Sequence, residues 1–311
     1  MSSGGAVAQA SWASTRERGT WLMVRVLVFG IKVVPRLVTP FVPLTALYFF
    51  LCSARVRALS RDYLRRVAAA APEAGLTPSP RNVYRHIACF ARAVKDKLGA
   101  WSGRVGDAEL IFDDREALER LAASGRGVLL IGSHLGNLEI IRAFVSRGEL
   151  VRLNVLMHTR HAPYFTRALR LVSPASVELH EVTELDAATA LKLKERIDRG
   201  EWVVISGDRV PVHGGRTVEA RFLGGTAPFP VGPYVLAALL DCPVHLLFCL
   251  RRAGRNHVYF EPFAQRIHWS RAERDAVIAR TAQRFALRLE HYLKLEPLQW
   301  FNFYPFWRDD R

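Results

Sequence analysis

Apolar positions in this chain follow two regimes. Over residues 21–52 they are almost continuous, interrupted in charge only by Arg25, Lys32 and Arg36. From residue 127 onward, short apolar runs alternate with stretches of helical periodicity. The runs at 127–131, 151–157, 177–181, 202–206 and 244–250 have the length and content of strands. Between them, 138–146, 164–171, 186–199 and 231–240 repeat apolar residues at three- and four-residue spacing, which predicts helices. This alternation predicts an α/β fold with a mostly parallel central sheet flanked by helices. Residues 258–263, after a turn at 254–256, add an antiparallel strand, and 271–295 form a long closing helix. Upstream, 55–100 read as helices separated by a loop at 72–80, the second starting near Asn82. Asp113 with Glu116 fits a capping box for a helix that stops at Gly125.

The first regime points to a membrane. Residues 37–54 carry no charge and are just long enough to be a span candidate, although Pro40 and Pro43 break their first part. Arg18, Arg25, Lys32 and Arg36 fall within about 40° of one another on a helical wheel, a basic stripe that suits a membrane surface. The segment can span, re-enter or lie in the interface. Arg55, Arg57, Arg61, Arg65 and Arg66 follow it, and a basic cluster of this kind keeps what comes next on the cytoplasmic side. The long apolar region and the lack of a small-residue cleavage site before that cluster argue against a removed signal peptide. The organisation expected is therefore a disordered, small and polar stretch at 1–19, membrane-anchoring hydrophobic helices at 20–54, and one α/β domain at 55–311.

Charge narrows the partners. With 44 Lys and Arg against 29 Asp and Glu, the net charge of +15 calls for an anionic counterpart: nucleic acid, anionic lipid or an acidic carrier protein. Nucleic acid is disfavoured, because no aromatic and basic recognition motif is present and the apolar N-terminal stretch would have no use. Cys52, Cys89, Cys242 and Cys249 are scattered without a Cys-x2-Cys pair, which supports neither a zinc site nor a disulfide framework. His158, His161, His213 and His245 show no ligand spacing. No Gly-x-Ser-x-Gly elbow, Walker loop, His-Glu-x-x-His or dinucleotide glycine motif occurs, so serine hydrolase, nucleotidase, zinc peptidase and dehydrogenase readings weaken. No metal or cofactor is expected.

The chemistry concentrates at 133–139, directly after the apolar run 128–132. His134 and Glu139 stand at the end of a strand, where α/β enzymes keep their reacting groups. A histidine with its ordinary pKa of roughly 6.5 can take a proton at neutral pH, and a carboxylate on its other ring nitrogen fixes the tautomer and supports the imidazolium. On a continuous helix five positions turn about 500°, leaving the two side chains roughly 140° apart. They can meet only if the chain bends between them. Gly136 offers the bend, Asn137 a helix cap and Glu139 a carboxylate in the first helical turn. Activation of a hydroxyl is the chemistry implied. Asp208 and Arg209 emerge at a second strand end: Arg209 can bind phosphate or carboxylate, and Asp208 can position an acceptor hydroxyl or hold Arg209. Arg160 sits at a third strand end, and Arg216 and Arg221 lie in the glycine-rich segment 212–225, where they can meet anionic head groups.

The apolar N-terminal segment leading to Ser60-Arg61-Asp62-Tyr63-Leu64, the His134-x4-Glu139 motif, the Gly207-Asp208-Arg209 block, the run Ala220-Arg221-Phe222-Leu223-Gly224-Gly225-Thr226-Ala227 and the terminal Phe301-Asn302-Phe303-Tyr304-Pro305-Phe306-Trp307 stand in one order. In that order they resemble the bacterial lipid A late acyltransferases of the lysophospholipid acyltransferase superfamily, from about Trp21 to the end. The resemblance implies a glycerolipid acyltransferase-like fold and a bacterial inner-membrane enzyme with its catalytic domain on the cytoplasmic face. It also implies transfer of a fatty acyl chain from acyl carrier protein or acyl coenzyme A to a lipid hydroxyl. His134 and Glu139 would be catalytic, and Asn137, Arg160, Asp208, Arg209 and Arg221 would bind substrate. The oxyanion would be met by backbone N–H groups near Gly136 or by Arg209. Glu139 in place of Asp, and Ser206-Gly207-Asp208-Arg209 in place of a Pro-Glu-Gly-Thr-Arg-like block, separate the chain from glycerophosphate-type relatives. Lipid A, another glycolipid or an aminolipid fits the acceptor. The competing class is a noncatalytic basic module on a membrane surface, which would need the anchor and the charge but not His134 beside a carboxylate.

Overall fold

The computed structural model describes residues 39–101, 110–139, 151–157, 177–182, 186–210 and 215–307. The expected helices at 138–146 (beyond Glu139) and 164–171, Arg160, and the first 38 residues lie outside the described residues. Three helices come first: α1 (Phe41–Cys52), α2 (Ala54–Ala70) and α3 (Pro80–Trp101). Then follow β1 (Leu110–Phe112), α4 (Arg115–Ala123), β2 (Val128–Gly132), β3 (Leu153–Met157), β4 (Val177–Glu181), α5 (Ala187–Asp198) and β5 (Trp202–Ser206). The chain closes with β6 (Thr217–Phe222), β7 (Gly225–Pro230), α6 (Gly232–Leu240), β8 (Val244–Arg252), β9 (Arg255–Ala264) and α7 (Arg274–Leu295).

Seven strands form one sheet in the order β1-β9-β8-β2-β5-β3-β4. Strands β8, β2, β5, β3 and β4 are mutually parallel, while β9 returns antiparallel to β8 as the 258–263 pattern predicts, and β1 joins its outer edge. The expected mostly parallel sheet is therefore present. Strand β2 is buried at all five positions, the mark of a strand covered on both faces. Its alternate residues divide between two cores: Leu129 and Ile131 face one, Val128 and Leu130 the other. Helix α7 covers the first core with Ile278, Ala282, Phe285, Leu289 and Leu293, an apolar stripe at helical spacing. Phe285 is fully buried there. Its replacement by Ala would cost about 3–5 kcal/mol.

Three differences from the sequence expectation each have a local reason. The cap of α4 is Asp114, which accepts from Ala117 N–H, and not Asp113. Asp113 still donates its backbone N–H to Val258 as the last rung of the β1–β9 ladder, so the helical cap must follow one residue later. Helix α3 begins at Pro80, since the Ser79 hydroxyl accepts from Asn82 N–H and proline is well placed in a first turn. The glycine-rich segment 212–225, for which the sequence pattern predicts no strand, contributes β6 to an antiparallel hairpin with β7. Its period-two pattern buries Ala220 and Phe222 and leaves Arg221 exposed, and Leu223 and Gly224 both take positive φ in the turn.

The helical layer carries the apolar N-terminal signal. Helix α1 buries Ala46 and packs against α3, with the Tyr84 hydroxyl donating to the Pro43 carbonyl. Its far side leaves Phe41, Leu44, Leu47, Tyr48 and Leu51 exposed. Arg57 donates to the Phe50 and Leu51 carbonyls and so closes the C-terminus of α1 from the next helix. Among the described residues no single helix is long and apolar enough to cross a membrane. α1 and α2 reach that length only as a pair bent by 97°.

Candidate active site

Register brings the site together. Strands β2 and β5 pair in parallel with Gly132 opposite Ser206, so residues two beyond each of these, His134 and Asp208, leave the same carboxyl rim side by side. Gly207 lets the second turn lie close: its N–H reaches the Gly132 carbonyl, and a Cβ there would stand 2.7 Å from Ile131 and from Phe285. The bend expected at Gly136 is present, with φ +73, and a Cβ would meet the Cys249 carbonyl oxygen at 1.9 Å. Only glycine fits that approach.

The ring nitrogen Nδ1 of His134 is met by Asp208 Oδ1 at 2.8 Å, and the backbone N–H of His134 donates to Asp208 Oδ2 at 2.8 Å. Ser206 donates its hydroxyl to Oδ1 at 2.8 Å, and the Trp300 indole donates to Oδ2 at 3.0 Å. Each carboxylate oxygen thus receives two donors, which fills its capacity. Burial alone would raise the Asp208 carboxyl, yet the His134 ring and these donors outweigh it and hold the pKa at about 2. Asp208 therefore stays ionised and cannot act as a proton acceptor near neutral pH. His134 lies below its ordinary value, through burial first and the Arg209 charge second, while Asp208 pulls it back up. A neutral imidazole facing an ionised carboxylate carries its proton on Nδ1, which leaves the Nε2 lone pair for a substrate proton. With 30% of its side chain accessible, the ring is open to one.

Asp208 was expected to position an acceptor hydroxyl or hold Arg209; its oxygens are instead spent on the His134 turn. The orienting place at Nδ1, which the sequence reading gave to Glu139, is filled by Asp208. Glu139 follows the Gly136 turn at the start of a helix, partly buried. Asn137 donates to the Ala93 carbonyl, and its own side-chain oxygen, the atom a helix cap would use, is buried with no hydrogen-bond partner among the described residues. Arg209 reaches the Phe301 carbonyl and is electrostatically coupled to His134. Arg221 stands exposed on β6, opposite Thr226 in the hairpin. Among the described residues it makes no contact with His134 or Asp208.

Of the candidates for an oxyanion partner, three backbone donors at the bend are already engaged. The N–H groups of Leu135, Gly136 and Asn137 donate to Ser133 Oγ, the Gln299 carbonyl and the Cys249 carbonyl. Two members of the site escaped the sequence reading. Ser206 sits in a quoted block but has no pattern of its own. Trp300 directly precedes the terminal aromatic run, and nothing in its neighbours announces a carboxylate partner. Among the described residues no group of three or more His, Cys, Asp or Glu is placed to hold a metal ion.

The family model for bacterial lipid A biosynthesis acyltransferases matches residues 9–309 of the chain. No curated protein matches it.

Proposed function

Since the chain belongs to the bacterial lipid A biosynthesis acyltransferases and is thus an acyltransferase, we propose that it moves a fatty acyl chain from a thioester of acyl carrier protein or coenzyme A to a hydroxyl of a lipid A-like acceptor, with His134 as the base. The observation that carries this reading is the His134 ring, tied through Nδ1 to an ionised, fully satisfied Asp208 and with part of its side chain accessible. The acceptor hydroxyl gives its proton to Nε2 as its oxygen attacks the thioester carbonyl. The tetrahedral oxyanion then collapses, the C–S bond breaks, and the imidazolium returns the proton to the departing thiolate. Asp208 supports the charge that His134 carries between these steps. Proton transfer by a base held in this way contributes about 10²- to 10⁴-fold.

Arg209 is assigned to the oxyanion, because its charge acts at His134 and the backbone donors of residues 135–137 are taken. Asn137 offers its buried, unpartnered oxygen to a substrate donor, and Glu139 adds electrostatic support to the imidazolium from the helix start. Arg160 and Arg221 are assigned to head-group anions. The family is generally membrane-associated, and the exposed stripe Phe41, Leu44, Leu47, Tyr48 and Leu51 supports seating of α1 in the inner membrane, the catalytic part facing the cytoplasm. A net charge of +15 supports recruitment of an acidic carrier protein or anionic lipid.

The test is direct. Vesicles carrying the full chain are given labelled acyl thioesters of carrier protein or of coenzyme A together with a lipid A precursor that bears a free hydroxyl, and the lipids are read by mass spectrometry. One added acyl mass, absent with His134→Ala, is expected. Equal labelling by His134→Ala would overturn the reading.

A further inference from the structure

Ser60 and Tyr63, in a block that the reaction above does not use, reach the site through a second histidine, a buried one. His86 of α3 is completely buried, and both of its ring nitrogens are engaged. Nε2 faces the Trp300 carbonyl at 3.0 Å. A carbonyl can only accept, so Nε2 carries the proton, and Nδ1 must accept from the Ser60 hydroxyl at 2.8 Å. Phe303 stacks on the ring with centroids 4.7 Å apart and Tyr63 lies tilted against the same ring at 5.1 Å, while the Tyr63 hydroxyl donates to the Pro297 carbonyl. The imidazole is thus a rigid bridge from α2 and α3 to the segment 297–303.

That segment is the strap over the catalytic turn. Gly136 N–H donates to the Gln299 carbonyl, Phe301 N–H donates to the His134 carbonyl, and Leu135 pairs with Trp300. Trp300 is itself fully buried, and its indole N–H is one of the four donors on Asp208. One residue therefore accepts from His86 at its carbonyl and donates to Asp208 at its ring. An error in where Trp300 sits is an error in how Asp208 meets His134.

We propose that His86 is a positioning residue for acyl transfer: by donating to the Trp300 carbonyl it aims the Trp300 indole at Asp208 and so sets the angle of the His134 ring. The inference rests on the assignment of His134 and Asp208 to the reaction. It also gives the Ser60 and Tyr63 block a use, since Ser60 pins the tautomer that makes His86 a donor. Burial lowers the His86 pKa to about 4, so near neutral pH the ring is uncharged and Nδ1 stays an acceptor for Ser60.

The experiment measures kcat and donor KM for His86→Leu, His86→Gln, Trp300→Phe and the His86→Leu/Trp300→Phe pair in vesicles, with a thermal melt for each. Leucine removes the donor, and misplacement at a reacting group lowers kcat by about tenfold with KM within about twofold. Glutamine can present an N–H where Nε2 stood and returns kcat to within about threefold of wild type. With Trp300→Phe the indole donor is gone, so adding His86→Leu lowers kcat by no more than about twofold, because two residues on one route do not act independently. A folded His86→Leu with wild-type kcat overturns the proposal, as does a pair whose losses multiply. If His86→Leu fails to fold, Ser60→Ala decides: a kcat loss of about threefold that vanishes in the Trp300→Phe background supports it, and a loss that persists there overturns it. Inactive His134→Ala beside a silent His86→Leu removes this inference alone. Active His134→Ala removes the assignment beneath it.

Discussion

His134 and His245 belong to neighbouring parallel strands of one sheet but stand at its opposite ends, the first just past β2, the second near the start of β8. Both are held below the ordinary histidine pKa, and burial is the leading cause in each. Their surroundings then diverge. The His245 ring stacks on Phe260 at 4.7 Å, its Nδ1 is buried with no partner among the described residues, and Arg126 pushes its pKa down further to about 4. His134 has Asp208 on Nδ1, pulling the other way. Either ring is neutral at pH 7. Only His134 can hold a proton for the length of a reaction step, because only there does a carboxylate support the imidazolium. A base is thus distinguished by what stabilises its charged form, and in this sheet that partner comes from the carboxyl end of the adjacent strand.

The comparison can be broken by removing its first member. His134→Ala should lower acyl transfer by about 10³-fold or more while melting and vesicle binding stay near wild type. Arg209→Ala should cost about 10²- to 10³-fold in kcat if the guanidinium meets the oxyanion, read with saturating thioester donor. A change confined to donor KM would move Arg209 from the reacting carbonyl to substrate binding. Glu139→Ala should lower kcat by about tenfold with a smaller change in KM, less than any loss at Asp208, since the Nδ1 place is already filled. His245→Asn, at the other rim, should leave kcat within about twofold, which a steady-state assay resolves.

Much of this architecture was legible beforehand because apolar periodicity reports burial directly. The strands at 177–181 and 202–206 appear with the expected bounds, and the bend that Gly136 offers is present. The partner of His134 was not legible. Asp208 lies 74 positions away and becomes a neighbour only through the register of β2 with β5, which no local pattern states. Glu139 looked the better partner because it is near in sequence, whereas parallel strands bring together residues that are distant in it. The same holds for Trp300, whose indole meets Asp208 across 92 positions. Hairpin β6–β7 was missed for a different reason. The glycines at 214, 215, 224 and 225 frame a strand of only six residues, too short an alternation of Thr217, Glu219 and Arg221 with the buried Ala220 and Phe222 to stand out from a glycine-rich loop.

The central claim is that Asp208 holds and supports His134, and the pH dependence of kcat/KM in wild type and Asp208→Asn tests it most directly. Activity in the wild type should fall as pH drops through the His134 ionisation, below 6.5. The Asp208 charge favours the imidazolium, so its removal lowers that pKa and moves the acid limb to lower pH, while the plateau falls by about 10²-fold. A plateau at the wild-type rate with an unmoved acid limb would contradict the account.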